Sequence, residues 1–321
     1  MSSDNTHTTE HEVVVAAAAD VIYGLVERVT AWPLIFPPTL RVEILEQDGP
    51  HERLRLCATA NGQVKTWTSR RLRDRHAHRI EFRQEVSAPP VAAMGGSWLL
   101  EPLGLDRTRV RLLHDFRAID DDPEQVRWIE EAVARNSEAE LAALRKAAES
   151  PGGGITALTE TFADTVHVNG TAADAYAFIR DADRWAERLP HVARVRLTEE
   201  TPDVQVLEMD TRTKDGALHT TRSVRLCESD RTIIYKQSVL PALLRAHLGR
   251  WTFEQQDGGV AVTSAHSIVI EPGAVATVLG DGATVEDAKS FVRSALSGNS
   301  MATLELAKAF AERSGAARVG R

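Results

Sequence analysis

Four short runs hold most of the residues in this chain that could do chemistry. Between Val64 and Arg73, alternation puts Trp67, Ser69, Arg71 and Arg73 on one face of a strand and Thr66, Thr68, Arg70 and Leu72 on the other. An indole, a hydroxyl and a guanidinium in one row can hold and polarise a carbonyl-bearing ligand if that face points inward. A buried guanidinium is costly unless it meets a partner. The opposite orientation, with Arg71 in water and Trp67 a surface aromatic, satisfies the pattern equally. From Arg109 to Arg117 the faces separate cleanly: Val110, Leu112, His114 and Phe116 share one, and Arg109, Arg111, Asp115 and Arg117 the other. His114 is therefore a histidine on an apolar face, either a satisfied core side chain or an acid–base group with a pKa near neutrality. Asn136 lies on the apolar stripe of a helix, where an amide needs a strand, a buried water or a ligand as partner. Trp98, beside Gly95-Gly96, either packs the core or offers a flat wall to a planar ligand.

Each feature has an echo. Trp32 and Trp98 recur 153 positions on as Trp185 and Trp251, His114 recurs 152 on as His266, and Asn136-Ser137 recurs 163 on as Asn299-Ser300. Trp32 precedes Phe36-Pro37 as Trp185 precedes Leu189-Pro190. Offsets this regular mean two copies of a whole domain, too long for a solenoid unit. The reading is a first domain over 1–150 and a second over 155–321, joined by a linker at about 149–155 around Ser150-Pro151-Gly152-Gly153-Gly154. A length of 321 residues fits two domains, each able to bury its own core.

The elements that must position these residues follow the same order twice. A polar tail over Met1–Glu10 leads to a strand at Val13–Val15 and a helix over Asp20–Arg28. The prolines of Trp32–Pro38 exclude a regular helix there. Strands fill Arg41–Arg117, with turns expected at Gln47–Pro50, Ala60–Gly62, Asp74–His78, Gly95-Gly96 and Gly104–Asp106. Val126, Ile129, Val133, Leu141 and Leu144 mark the stripe of a helix from Pro123 to about Ala148. The second copy gives a strand near Thr161–His167, a helix at Ala172–Ile179, strands from Val192 to Ile270 and a helix over Val285–Arg313, with about eleven extra residues around Gly273–Thr284. The economical α+β arrangement curls each antiparallel sheet around its long last helix. That leaves a cavity between sheet and helix, with the Trp32 and Trp185 segments near the mouth.

Charge and composition exclude other classes. A formal net charge of −8 argues against a nucleic-acid partner. Val13–Ala19 is too short to span a bilayer and no signal peptide is recognised, so no membrane role is expected. Cys57 and Cys227 do not occupy matching positions and read as reduced thiols of a cytoplasmic protein. His7 and His11 belong to the tail and His76 and His78 to an arginine-rich turn, so no metal constellation emerges. No P-loop, dinucleotide fingerprint or nucleophile elbow is recognised, and no cofactor is expected.

Taken together, Trp32…Phe36-Pro37, Trp67-Thr68-Ser69-Arg70-Arg71, Gly96-Ser97-Trp98 and Asn136 resemble the aromatase/cyclases of bacterial aromatic (type II) polyketide synthesis, in particular the di-domain members. The resemblance spans almost the whole chain. It implies two tandem helix-grip domains of the START and plant-allergen-like type. It implies first-ring aldol closure and dehydration of a poly-β-ketone carried on an acyl carrier protein, with other type II synthase subunits as partners. Di-domain members generally act on chains reduced at one ketone and join the seventh and twelfth carbons. The implied pocket is Trp32, Phe36, Trp67, Ser69, Arg71, Trp98 and Asn136. Arg71 would steady the oxyanion, Ser69 would position or relay a proton, and His114 would be a candidate acid or base. Single-domain relatives often carry a tyrosine where this chain has Thr39. In copy two, Trp67, Ser69 and Arg71 are read onto His219, Thr221 and Ser223, with Arg73 kept as Arg225. A second pocket with Trp185, His219, Thr221, Arg225, Trp251, His266 and Asn299 would then be polar but without the arginine–tryptophan pairing, so the chemistry is assigned mainly to copy one. The rival readings are a non-catalytic binder of hydrophobic ligands and a chaperone of the polyketide chain; a carrier's pocket should be mostly apolar.

Overall fold

A computed structural model of the chain describes residues 5–150, 154–212, 216, 218–228 and 231–319. It divides into two compact units, Met1–Ala157 and Leu158–Arg321. The linker residues 151–153 and the first four residues of the expected tail lie outside the described residues.

Unit 1 runs β1 (His7–Val15), α1 (Ala19–Glu27), α2 (Trp32–Ile35), β2 (Thr39–Asp48), β3 (His51–Ala60), β4 (Gln63–Asp74), β5 (Arg79–Val86), β6 (Val91–Pro102), β7 (Thr108–Ala118) and α3 (Pro123–Ala148). Its seven strands form one antiparallel sheet in the order β1-β7-β6-β5-β4-β3-β2. After the turn α4 (Ile155–Leu158), unit 2 repeats the plan with β8 (Thr159–Val168), α5 (Ala172–Arg180), α6 (Trp185–Arg188), β9 (Val192–Thr201), β10 (Val204–Arg212), β11 (Leu218–Glu228), β12 (Thr232–Val239), β13 (Leu244–Gln256), β14 (Gly259–Ile270), α7 (Val275–Leu279) and α8 (Val285–Val319). The order β8-β14-β13-β12-β11-β10-β9 matches strand for strand. No helix among the described residues is long and apolar enough to cross a membrane.

Local chemistry explains the frame. Asp122 caps α3, its carboxylate accepting the backbone N–H groups of Glu124 and Gln125, with Pro123 in the first turn. The stripe Val126, Ile129, Val133, Leu141 and Leu144 is buried against the sheet. Three local expectations need correction. The first strand starts at His7, inside the expected tail, because its inward residues His7, Thr9 and His11 are polar and give no apolar alternation. Trp32–Ile35 is one helical turn, since Pro33 stands in its first turn, where a missing N–H costs nothing. Gly95-Gly96 is the interior of β6, and the β5–β6 connection falls at 87–90. A Cβ on Gly96 would lie 2.0 Å from the Leu113 carbonyl oxygen and 2.7 Å from Phe82 Cζ, so this position needs glycine inside a strand. The extra residues of copy two build a short 3₁₀ turn and α7, whose Val275 packs with Leu243, Leu244, Ile270 and Val292.

Candidate active site

Unit 1 encloses a cavity of about 170 Å³ between the concave sheet face and α3. Voids of about 150 Å³ take a single benzene-sized ring, so this one matches a ring and its near substituents. Trp32, Trp67, Trp98 and Trp128 contribute aromatic wall, and Ser69, Arg71, Gln84, His114 and Asn136 contribute polar groups. The orientation left open by the sequence is thereby resolved: the Trp67–Ser69–Arg71 face points in. Phe36 is one layer deeper, stacked on Trp98 with ring centres 5.9 Å apart and edge-on to Trp32 at 5.3 Å. It shapes the wall from behind. Thr39 also lines the cavity.

The partners of Arg71 alter its expected role. Its Nε donates to Glu52 Oε2 (2.8 Å), its Nη2 approaches the same oxygen at 2.6 Å, and Nη1 and Nη2 donate to the carbonyls of Val26 (2.9 Å) and Glu27 at the end of α1. Both members of the ion pair are buried, at 3% and 5% exposure. The guanidinium also lies 5.7 Å from the centre of the Trp32 ring, whose indole N–H donates to the Val26 carbonyl at 3.1 Å. Burial pulls the Arg71 pKa down, and the Glu52 carboxylate opposes that pull. Four of the five N–H bonds are thus committed to the protein, and the charge is balanced. The group expected to steady an oxyanion is first a clamp joining β4, β3, the α1 C-terminus and Trp32.

Unit 2 supplies the independent check. Gln205 pairs in register with Arg225 as Glu52 does with Arg71. Arg225 Nη1 donates to Gln205 Oε1 (2.8 Å), Nη2 donates to the carbonyl of Ile179 at the end of α5 (2.6 Å), and the guanidinium lies 5.1 Å from the Trp185 ring centre. Arg225 is therefore the counterpart of Arg71, and the expected alignment was two residues out of register. Ser69 corresponds to Ser223, Trp67 to Thr221 and Lys65 to His219. Copy two keeps the arginine and its contact with the Trp185 ring, the counterpart of Arg71 over Trp32, while Trp67 gives way to Thr221. The Ser-x-Arg spacing common to both copies was the available signal.

Ser69 donates its hydroxyl hydrogen to the Arg83 carbonyl at 3.0 Å, leaving its lone pairs as acceptors. His114 Nδ1 is buried and has no hydrogen-bond partner among the described residues. Burial, reinforced by His11, pushes the His114 pKa down to about 4, so the imidazole is neutral near pH 7. Its ring meets Phe82 edge-on at 5.5 Å. Asn136 Nδ2 donates to the Thr59 carbonyl (2.9 Å), and Asn61 of the same β3–β4 hairpin donates to the Trp128 carbonyl (2.8 Å). The amide thus fastens the hairpin to α3 beside the cavity and turns its oxygen to other use. Gln84, Glu52 and Trp128 escaped the sequence reading. Gln84 was visible as the third member of the inward set Ile80, Phe82, Gln84, whereas Glu52 needed strand register to be found.

In unit 2 the equivalent interior joins its polar groups to one another. Trp185, Trp251, Thr221, Arg225 and His266 are all buried. His266 Nδ1 meets His247 Nε2 at 2.9 Å and its Nε2 meets Ser300 Oγ at 2.7 Å, with Ser264 Oγ 3.2 Å from Ser300 Oγ. Asn299, expected in this pocket, is exposed on α8; its neighbour Ser300 takes the inward position. His219 is partly buried and its Nε2 has no partner among the described residues.

Residues 6–149 and 168–288 each match a family model described as "Polyketide cyclase / dehydrase and lipid transport". The chain is 44% identical over 314 residues to the granaticin polyketide synthase bifunctional cyclase/dehydratase of Streptomyces violaceoruber, covering 98% of this chain and 97% of that one. It is 47% identical over 323 residues to the actinorhodin polyketide synthase bifunctional cyclase/dehydratase of Streptomyces coelicolor, covering 97% and 99%. Among solved structures it is similar to the di-domain ARO/CYC BexL from the BE-7585A biosynthetic pathway (TM-score 0.79, 50% identity, 95% of this chain and 99% of that one). It is also similar to the di-domain ARO/CYC StfQ from the steffimycin pathway (TM-score 0.75, 35% identity, 98% and 100%).

Proposed function

The chain belongs to the polyketide cyclase/dehydrase family, in its di-domain aromatase/cyclase form, and from that premise we propose that it is a bifunctional cyclase/dehydratase whose reaction chamber is the cavity of unit 1. The observation that carries this reading is a tryptophan-walled space between the sheet and α3 whose lining includes Ser69, Gln84, His114 and Asn136. A pure lipid carrier would call for an apolar wall, and four polar side chains in it argue against that role.

Aldol closure needs a bent chain, an enolate at one carbon and a polarised ketone at another. A methylene between two ketones is already acidic, so orientation does much of the work, on the order of 7–11 kcal/mol for well-held reactants. Trp32, Trp67, Trp98 and Trp128 confine the chain, with Phe36 stiffening the wall from behind. Neutral His114 takes the methylene proton as the carbon–carbon bond forms and returns it to the alkoxide, giving the hydroxyl and a neutral imidazole again. In the second step His114 removes the neighbouring carbon-bound proton and, as imidazolium, delivers it to the departing hydroxyl, which leaves as water while the double bond forms. A histidine whose pKa is depressed is, once protonated, a strong acid toward that departing hydroxyl. Ser69 accepts from a substrate O–H, and the Asn136 oxygen orients another. Arg71 is a positioning residue that holds Trp32 and turns at most one remaining N–H toward the substrate.

The finer reading follows the family resemblance. The substrate is a poly-β-ketone on an acyl carrier protein, reduced at one ketone and closed between its seventh and twelfth carbons by a protein working in the cytoplasm beside other type II synthase subunits. The test is reconstitution of the full chain with a minimal synthase and a ketoreductase. His114→Phe keeps the ring shape and removes the nitrogens. The aromatic first-ring product is expected to fall at least tenfold, with unclosed or undehydrated chain accumulating. Aromatic product at near wild-type rate would rule out His114 as the proton carrier.

A further inference from the structure

Gln84 is a polar group of the cavity to which the mechanism above gives no part. Its Oε1 is shielded from solvent and has no hydrogen-bond partner among the described residues, while its Nε2 makes only a 3.5 Å contact with Met94 Sδ. A buried amide carbonyl left unpaired costs on the order of 1–3 kcal/mol, so its retention requires a reason. Ser69 stands opposite in the β4–β5 register, and the pairing slips by one residue between Thr68 and Ser69. The Ser69 hydroxyl hydrogen is spent on the Arg83 carbonyl. Both residues line the cavity, so two acceptor-bearing side chains stand at neighbouring positions of its wall.

Unit 2 repeats the device. Ser223 pairs with Gln237, the register slips between Arg222 and Ser223, and Gln237 Oε1 is again buried without a partner among the described residues. The rest of the interior has changed, with Trp67 replaced by Thr221 and Met94 by His247. A slip of register beside an inward side chain re-aims it toward a site. Its recurrence beside the same Ser–Gln pair marks the pair as part of the ancestral pocket.

We propose that Ser69 Oγ and Gln84 Oε1 form an acceptor pair for a substrate O–H, so that the chamber of unit 1 selects chains bearing a hydroxyl or enol over chains bearing a ketone at that point. This rests on the reading of unit 1 as the reaction chamber and supplies what that reading lacks, a contact that distinguishes an alcohol from a carbonyl. A ketone oxygen facing two acceptors gains nothing and suffers repulsion, whereas a hydroxyl satisfies the buried carbonyl. The pair thereby explains how a chain reduced at one ketone would be favoured without a cationic contact.

The experiment uses the full chain and two non-reacting probes, the N-acetylcysteamine thioesters of 3-hydroxyoctanoate and 3-oxooctanoate, with binding followed by quenching of tryptophan fluorescence. Wild-type protein is expected to bind the hydroxy probe about tenfold more tightly. Gln84→Leu is expected to abolish that preference, Gln84→Glu to retain it through a remaining acceptor, and Gln237→Leu in unit 2 to leave it unchanged. Gln84→Met serves as a second, flexible replacement should the leucine variant fold poorly. Equal binding of the two probes to wild type, or an undiminished preference in Gln84→Leu and Gln84→Met, overturns the acceptor pair while leaving the chamber in place. Failure of either probe to bind at all overturns the chamber reading as well.

Discussion

At the scale of single residues, Arg71 shows how burial ties a candidate catalytic group into the structure around it. A guanidinium and a carboxylate both withdrawn from water are held by mutual charge and by the α1 carbonyls. Arg71→Ala would leave the buried Glu52 carboxylate with only its 3.3 Å contact to Arg73 Nη1, at a cost of about 3 kcal/mol, the low end for breaking a buried pair. Thermal or urea unfolding of this variant should therefore show unit 1 strongly destabilised, and loss of ring closure alone would not identify a catalytic arginine. Glu52→Gln should be tolerated to within about 1 kcal/mol, since Gln205 already does this work beside Arg225. If Arg71→Ala unfolds like wild type, the clamp is not what holds this corner. The inward row Trp67, Ser69, Arg71 was legible because alternation in a strand fixes faces. What the arginine does there was not, since its partner Glu52 lies nineteen residues away on another strand and only register brings them together.

At the scale of elements, the same contrast decides what a glycine means. Gly95-Gly96 has the composition of a turn, yet Gly96 sits in mid-strand so that the Phe82 ring can lie over β6 and reach His114. Gly249 does the same for Tyr235, whose ring atoms come within 2.0 Å of where a Cβ would stand. Gly96→Ala, harmless in a turn, should cost about 2–4 kcal/mol by overpacking. It should also displace Phe82 from the cavity wall, visible as a changed His114 ring signal in NMR; an unperturbed histidine spectrum with wild-type stability would contradict this account. The long helix α3 was legible to its ends because stripe, cap and proline agree. The first strand was only partly so, because its inward side carries histidine and threonine where period-two reasoning looks for aliphatic residues. The cavity itself lies at the limit of such reading: its walls follow from pattern, and its volume follows from how the side chains of eight elements meet.

At the scale of the whole molecule, the two units have spent one inherited interior differently. In strand register His266 takes the place of His114, Tyr235 that of Phe82, His247 that of Met94 and Ser264 that of Leu112, so the polar groups of unit 2 find one another. Burial pushes the His266 pKa down to about 4 and that of His247 to about 3, with His266 also disfavouring a charge on His247, while Asp164 of β8 pulls the other way on His266. In the unfolded chain these groups take protons near pH 6.5. Between pH 6.5 and 4 the unfolded state therefore binds more protons than the folded one, and unit 2 loses stability as pH falls, by an amount on the order of a few kcal/mol. Unit 1 has one such histidine lining its cavity, His114, and should lose less from this source. Calorimetry of the full chain should resolve a transition that moves steeply downward across this window, and His247→Met, which installs the residue unit 1 carries at Met94, should flatten its slope. A slope unchanged by that substitution would mean that the buried histidines do not govern the acid response, and that unit 2 tolerates charge in the interior its hydrogen bonds now fill.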